Sequence, residues 1–368
     1  MTARPDADGH HWGDEETGPI HPAVDDRTPA QRAHDEAEAR HWRESIAART
    51  TRIGRRTRLL GWVMAHWPAM HVSTMSRKNL LDDQTMNYLP GFVKRLVFGA
   101  RHPAVETRDV KVEGLRLRLY RPKGAGVLPV AVYFHGGGWT LFGGLDACDW
   151  LPSRVAALAG IAVVAVDYRL APQHPYPAAV EDALAAVRFV AAHGDELGTD
   201  DRIAVLGDSA GGNLLAVVAL ALRDEPGAPR IHAQALIYPV TSTTLDDASM
   251  IENADNPVLF RADMATFLGH YLGGEAGIAS HAADPLVAPL TVPTLAGLPP
   301  ALVQIADHDV LRDQGLAYAE RLRDDRVPTS VRRFPAAAHG WVTYPPLARD
   351  SGPAAESVAR FLRGRLHP

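Results

Sequence analysis

Residues 202–222 constrain the fold more than any other stretch of the chain. Arg202-Ile-Ala-Val-Leu206 is a short apolar run, and Leu214 to Leu222 is a second, built of Leu, Ala and Val. The first reads as a buried strand and the second as a buried helix. Between them stands Gly207-Asp208-Ser209-Ala210-Gly211-Gly212-Asn213. A G-x-S-x-G turn from strand to helix is a nucleophile elbow, where small residues let the backbone turn without side-chain clashes. Such a turn lifts the Ser209 hydroxyl above the sheet edge. It also sets the following backbone at a helix N-terminus, where partial positive charge favours an oxyanion.

The flanking sequence continues the alternation. Val110-Lys-Val112 and Leu115 to Tyr120 alternate apolar with polar and predict a half-exposed strand pair. Leu128 to Phe134, Ile161 to Tyr168 and Ile231 to Tyr238 are buried strands, with a helix over Ala178 to Ala192. After Thr241 the alternation stops until about Ala283; this insertion holds helical pieces such as Arg261 to Leu272 and no clear strand. It then resumes with strands at Ala301 to Ala306 and Ser330 to Phe334, and helices at Gln314 to Asp324 and Ala354 to Arg363. Strands alternating with helices predict an α/β fold around a mostly parallel sheet. The expected core is therefore residues 105–240 and 284–368, with 241–283 as a helical insertion.

The N-terminal part is different. Residues 1–27 are rich in Asp, Glu, His, Gly and Pro and read as a loosely attached tail, in which His10 and His11 are unremarkable surface histidines. Thr28-Pro29 is a helix start, and Ala30 to Arg58 is dense in helix formers and polar on most faces. His34 and His41 share one face of that expected helix and read as wet surface rather than a metal pair. Leu59 to Trp67 and Phe92 to Phe98 are more apolar, and residues 28–104 are expected to contribute helices to a cap. These short runs fit a lid over a pocket better than a membrane surface. Arg55-Arg56 before Leu59 resembles a twin-arginine signal only faintly, because it lies deep in the chain and its apolar part is short and interrupted.

Composition removes several function classes. The chain of 368 residues has a net charge of -5, against the basic balance of a nucleic-acid binder. Its single cysteine, Cys148, excludes an internal disulfide and fits a reducing, cytoplasmic setting. There is no run of about 18 apolar residues and no secretory apolar segment at the start. No Cys/His cluster, HExxH or phosphate-cradling glycine loop occurs, so neither metal nor nucleotide cofactor is expected.

A serine hydroxyl needs a base within hydrogen-bond reach and a carboxylate to orient it. In this kind of fold the acid and then the histidine follow the serine. The histidines after Ser209 are His232, His270, His281, His308, His339 and His367. Only His339 lies in a loop after the last strand, at the carboxyl edge of the sheet where sites in open α/β sheets gather. The acid belongs after the preceding strand, where position leaves Asp307 and Asp309 open, and Asp313 is expected to cap the next helix. The oxyanion needs backbone N–H donors. Ala210 offers one, and the glycine loop His135-Gly136-Gly137-Gly138 can offer others.

Five motifs carry a resemblance: HGGGW at 135–139, DYRLAPQHPYPA at 167–178, GDSAGGN at 207–213, DVLRDQG at 309–315 and HGW at 339–341. In order and spacing they resemble the bacterial hormone-sensitive-lipase-like esterases, the family IV lipolytic enzymes, over about residues 105–368. The resemblance implies an α/β-hydrolase fold with a cap and selects Asp309 as the acid. It implies Ser209 as nucleophile, His339 as base, and the N–H groups of Gly137, Gly138 and Ala210 as the oxyanion hole. His135 and Gly136 would brace the glycine loop. Val310 stands where the family has proline, and Trp341 where it has phenylalanine; both bear on pocket shape and neither touches the triad. Pocket candidates are Trp139, Asp208, Tyr238, Phe260, Phe267, Trp341 and Tyr344. The expected activity is hydrolysis of a small-molecule carboxylic ester with a short or medium acyl chain, by a monomer or homodimer. No sequence feature separates ester from amide. A ligand receptor on this fold, as in the plant gibberellin receptors, would be expected to have lost the triad, and here Ser209, Asp309 and His339 all stand.

Overall fold

The computed structural model describes residues 52–65, 71–85, 89–112 and 114–367. Residues 52–54 are not helical; Gly54 N–H donates to Ala336 O at 3.1 Å, and helix begins only at Arg55. The expected helix over Ala30 to Arg58 is corrected to that extent, because the Gly54 N–H is spent on Ala336 while its carbonyl accepts from Arg58 N–H, which makes Gly54 a helix start. Its earlier part, with Thr28, Pro29, His34 and His41, and the tail with His10 and His11 lie outside the described residues.

Three short helices follow: α1 (Arg55–Ala65), α2 (Arg77–Thr85) and α3 (Gly91–Phe98), with a 3-10 turn at Val72–Thr74. The chain then runs through β1 (Val105–Val112), β2 (Leu115–Pro122), β3 (Leu128–Phe134), α4 (Trp150–Ala159), β4 (Ala162–Asp167), α5 (Ala178–Ala192) and α6 (Gly194–Leu197). β5 (Thr199–Asp208) leads into α7 (Ala210–Asp224) and then β6 (Ile231–Ile237). Residues 241–283 hold α8 (Ala248–Glu252), α9 (Arg261–Leu272) and α10 (Glu275–His281) without a strand. β7 (Ala301–His308), α11 (Arg312–Asp324), β8 (Thr329–Ala338) and α12 (Ser351–Leu366) complete the order. Helix α4 was not anticipated. Its Trp150-Leu-Pro-Ser start carries a proline that reads as a breaker, yet Pro152 sits in the first turn, where its missing N–H costs nothing.

The eight strands form one sheet in the order β1-β2-β4-β3-β5-β6-β7-β8. β2 pairs antiparallel with β1 and β4, and every later pairing is parallel. This is the α/β-hydrolase fold. Alternate strand residues, among them Tyr133, Leu206 and Ile237, share a buried cluster with α4 and α12. The residues between them point to the opposite face, where α5 and α7 pack. Burial on both faces is why β3, β4 and the Ile203–Leu206 part of β5 read as near-continuous apolar runs. The β1–β2 hairpin is also held by charge: Arg118, opposite Asp109, and Arg116 hydrogen-bond to Asp109 and hold its carboxyl at about 2 against the effect of burial.

Candidate active site

The parallel strands β3, β5, β7 and β8 all end at one edge, and the loops leaving them carry the candidate groups. Ser209 stands between β5 and α7 at φ 55° and ψ -119°, a conformation that L-residues rarely adopt. Small neighbours make this possible. A Cβ on Gly211 would lie 2.0 Å from Phe134 O, so α7 and β3 could not approach as they do. Ser209 N–H donates to Ile237 O at 2.9 Å. One turn on, the fully buried Asn213 amide donates to Val240 O and Val287 O at 3.1 and 2.9 Å, tying the elbow to the loop after β6 and to the segment that follows the insertion.

His339 follows β8 directly. Its Nδ1–H donates to Asp309 Oδ2 at 2.8 Å, and the Ser209 hydroxyl donates to its Nε2 at 3.0 Å. The carboxylate accepts only, which fixes this tautomer and leaves Nε2 free to receive the serine proton. Asp309 is 1% exposed, and its other oxygen accepts from Leu311 N–H at 2.9 Å. The two aspartates left open by position are thus separated. Asp307 is bound by both guanidinium arms of Arg333 and does not approach the histidine. Asp313 is not a cap, contrary to expectation. α11 starts at Arg312, and Asp313 in its first turn instead accepts from Ser249 N–H at 2.8 Å and tethers α8. His232 is spent elsewhere, accepting from Ile203 N–H at 3.2 Å.

The glycine loop lies against this row of groups. Gly136 N–H donates to Asp208 Oδ1 at 3.1 Å, while Tyr133 and Tyr238 hydroxyls reach the same carboxylate at 2.7 and 3.3 Å. Burial pushes the Asp208 carboxyl up, and the Tyr133 hydroxyl and Gly136 N–H oppose it. His135 is fully buried, stacks on Tyr168 and donates from Nδ1 to Gly136 O at 2.7 Å. Burial pushes its imidazole down, so it holds the loop as a neutral ring. Gly138, at φ 59°, lies flat under the ring of Phe267, which a Cβ there would meet at 2.2 Å. The N–H groups of Gly137, Gly138 and Ala210 donate to no acceptor among the described residues, which leaves three donors near Ser209 unspent.

A cavity of about 580 Å³ opens onto Ser209 and His339. Of the pocket candidates, Asp208, Tyr238, Phe267 and Tyr344 line it. Trp139, Phe260 and Trp341 do not, and the reason is packing. Trp139 is buried in a stack with Tyr271, Phe260 stacks on His71, and Trp341 wedges between Tyr238 and Phe334 in the core. Most of the apolar wall comes from residues the sequence did not single out, such as Leu141, Phe142, Val258 and Met264. Their only signal was apolarity, shared with the whole core. Met64, Val97 and Phe98 from the two N-terminal apolar runs also face the cavity. Among the described residues no group of three His, Cys, Asp or Glu is placed to hold a metal ion, and no helix is long and apolar enough to cross a membrane.

Comparison with known proteins agrees with this architecture. Residues 131–343, more than half of the chain, match the family model described as alpha/beta hydrolase fold. Carboxylesterase NlhH of Mycobacterium tuberculosis is 43% identical over 267 residues, covering 70% of this chain and 83% of that protein. Esterase LipI of the same species is 41% identical over 274 residues, covering 72% and 84%. A thermostable esterase from Pseudomonas putida superposes with a TM-score of 0.75 at 30% identity, over 87% of this chain and 99% of that one.

Proposed function

The chain belongs to the α/β-hydrolase family of the hormone-sensitive-lipase-like carboxylesterases and is a carboxylic-ester hydrolase, and on that premise we propose that Ser209, His339 and Asp309 cleave small esters with short or medium acyl chains. The observation that carries this reading is the unbroken hydrogen-bonded row from Asp309 through His339 to Ser209, at 2.8 and 3.0 Å, opening onto an apolar cavity.

Ser209 Oγ attacks the acyl carbon as its proton passes to His339 Nε2. Asp309 keeps Nδ1–H in place and stabilises the imidazolium. The carbonyl oxygen, now negative, is received by the unspent N–H groups of Gly137, Gly138 and Ala210, each such donor contributing about 2.7–4 kcal/mol. His339 then protonates the departing alkoxide, leaving an acyl-serine. Water, deprotonated by His339, attacks the same carbon, and the proton returns to Ser209 as the carboxylic acid leaves. Helices α1–α3 and α8–α10 act as a cap, in which α1, α3 and α9 supply apolar wall that keeps water from the acyl chain.

The test is hydrolysis of a chromogenic ester series, acetyl to long acyl, by the full chain and by Ser209→Ala. Serine-dependent turnover peaking at short or medium chains is expected. Near wild-type turnover by a folded Ser209→Ala or His339→Ala variant would end the assignment. Labelling of Ser209 by a serine-directed phosphonate with every ester of the series inert would show working machinery and an unusual leaving group, so that amides and bulky esters come next.

A further inference from the structure

Helices α1, α2 and α3 each turn one side to the cavity, through Met64, Asn79 and Val97. Their other sides hold large apolar side chains in water. On α3, Phe92 and Leu96 lie one turn apart and are 71% and 69% exposed; Leu59 on α1 is 58% exposed. Five of the eight large apolar side chains exposed among the described residues fall within 59–96, so the exposure belongs to this segment and is not the scatter of an ordinary surface. The sequence argument against a lipid surface rested on the shortness of the apolar runs. In the fold those runs are divided between an inner and an outer side, and the outer side needs a partner of its own.

Charge indicates which partner. Residues 52–98 hold eight Arg and Lys against two Asp, a net of +6 within a chain whose net charge is -5. Arg55, Arg56, Arg58, Arg77 and Lys78 are all exposed and form no ion pair among the described residues. Several arginines of the core, Arg118, Arg169, Arg202, Arg312 and Arg333, each hold a carboxylate, while exposed ones such as Arg349 and Arg360 also form no ion pair among the described residues; what sets the helical segment apart is that its free cations stand beside exposed Phe and Leu. Unpaired cations beside exposed Phe and Leu on short helices are the composition of an interfacial surface, where the apolar groups enter the acyl boundary and the cations meet anionic headgroups. A second copy of this chain would set the same positive segment against itself.

We propose that the outer sides of α1–α3 dock on an anionic lipid surface. The docking stands apart from the ester-hydrolase reading; its consequence, that an ester dissolved in the lipid reaches the cavity from that side, rests on it.

The experiment is flotation of the purified full chain with phosphatidylglycerol vesicles and with phosphatidylcholine vesicles, at low and high salt. Flotation with the anionic vesicles, weakened by salt, is expected. Phe92→Asp/Leu96→Asp and Arg55→Glu/Arg58→Glu should each lower the bound fraction about ten-fold or more. Both should hydrolyse a water-soluble ester at the wild-type rate, which shows that they fold. Ser209→Ala should float as wild type does, so loss of activity and loss of docking are read separately. No flotation with anionic vesicles at low salt overturns the proposal, as does equal binding to neutral vesicles. A dimer that Phe92→Asp/Leu96→Asp turns into a monomer, without vesicle binding, assigns the face to a second copy and overturns it too.

Discussion

Ser209 has a backbone conformation that costs about 1–3 kcal/mol for a residue with a Cβ and is held by Asn213 and the β6 loop. Replacement by glycine removes that strain along with the hydroxyl. Ser209→Gly should therefore be inactive yet more stable by about 1 kcal/mol, after the entropic cost of glycine; a thermal melt shows whether its midpoint rises. Gly138 carries the converse constraint. Gly138→Ala drives a methyl into the Phe267 ring and displaces the loop proposed to receive the oxyanion. A fall in kcat of about 100- to 1,000-fold is expected, with a smaller change in KM, and Phe267→Leu in the same chain should restore part of it. Equal kcat for wild type and Gly138→Ala would remove this loop from the oxyanion hole. Asp309→Asn keeps the shape but presents an amide to His339 Nδ1; steady-state kinetics should show a loss of about 10⁴-fold in kcat.

Among the elements, the contact between the Val72–Thr74 turn and α9 joins the N-terminal helices to the insertion. Asp263 in the first turn of α9 accepts from His71 Nδ1 at 2.8 Å, from the Ser73 hydroxyl and N–H at 2.6 and 3.1 Å, and from Phe260 N–H at 3.1 Å. Burial pushes this carboxyl up, but the donors from His71 and Ser73 outweigh it and hold it below its ordinary 3.8. A carboxyl lowered on folding adds stability above its unfolded value and loses it as pH falls through the folded one. Between pH of about 5 and 3 the melting temperature of the wild type should therefore drop more steeply than that of Asp263→Asn. Parallel melting curves for the two proteins would show that the pair does not join these elements.

For the molecule as a whole, the cavity is the quantity that three distant parts of the chain build together. Val97 from α3, Met264 from α9 and Leu141 from the loop after β3 meet across it. Filling it from one side should shorten the acceptable acyl chain without touching the reacting groups. Val97→Trp is expected to lower kcat/KM for an octanoyl ester about ten-fold relative to the acetyl ester, measured on one enzyme preparation. An unchanged ratio would move the acyl-binding end elsewhere in the cavity.

The α/β-hydrolase fold, most of the strand and helix order and the candidate site residues were legible in the chain itself, because they depend on local pattern. A strand–turn–helix with glycine where only glycine fits, buried runs of strand length and a histidine just past the last strand are all written within a few residues. Asp307 and Asp309 were equivalent by position. Their roles diverge through partners far away in sequence, Arg333 for one and His339 for the other. Trp139, Phe260 and Trp341 carried the aromatic signal of a pocket, yet tertiary packing set them against Tyr271, His71 and Tyr238 instead. Local pattern shows that a side chain is apolar. Whether it fills a core, lines a cavity or faces outward, as Phe92 does, depends on what the rest of the chain brings against it.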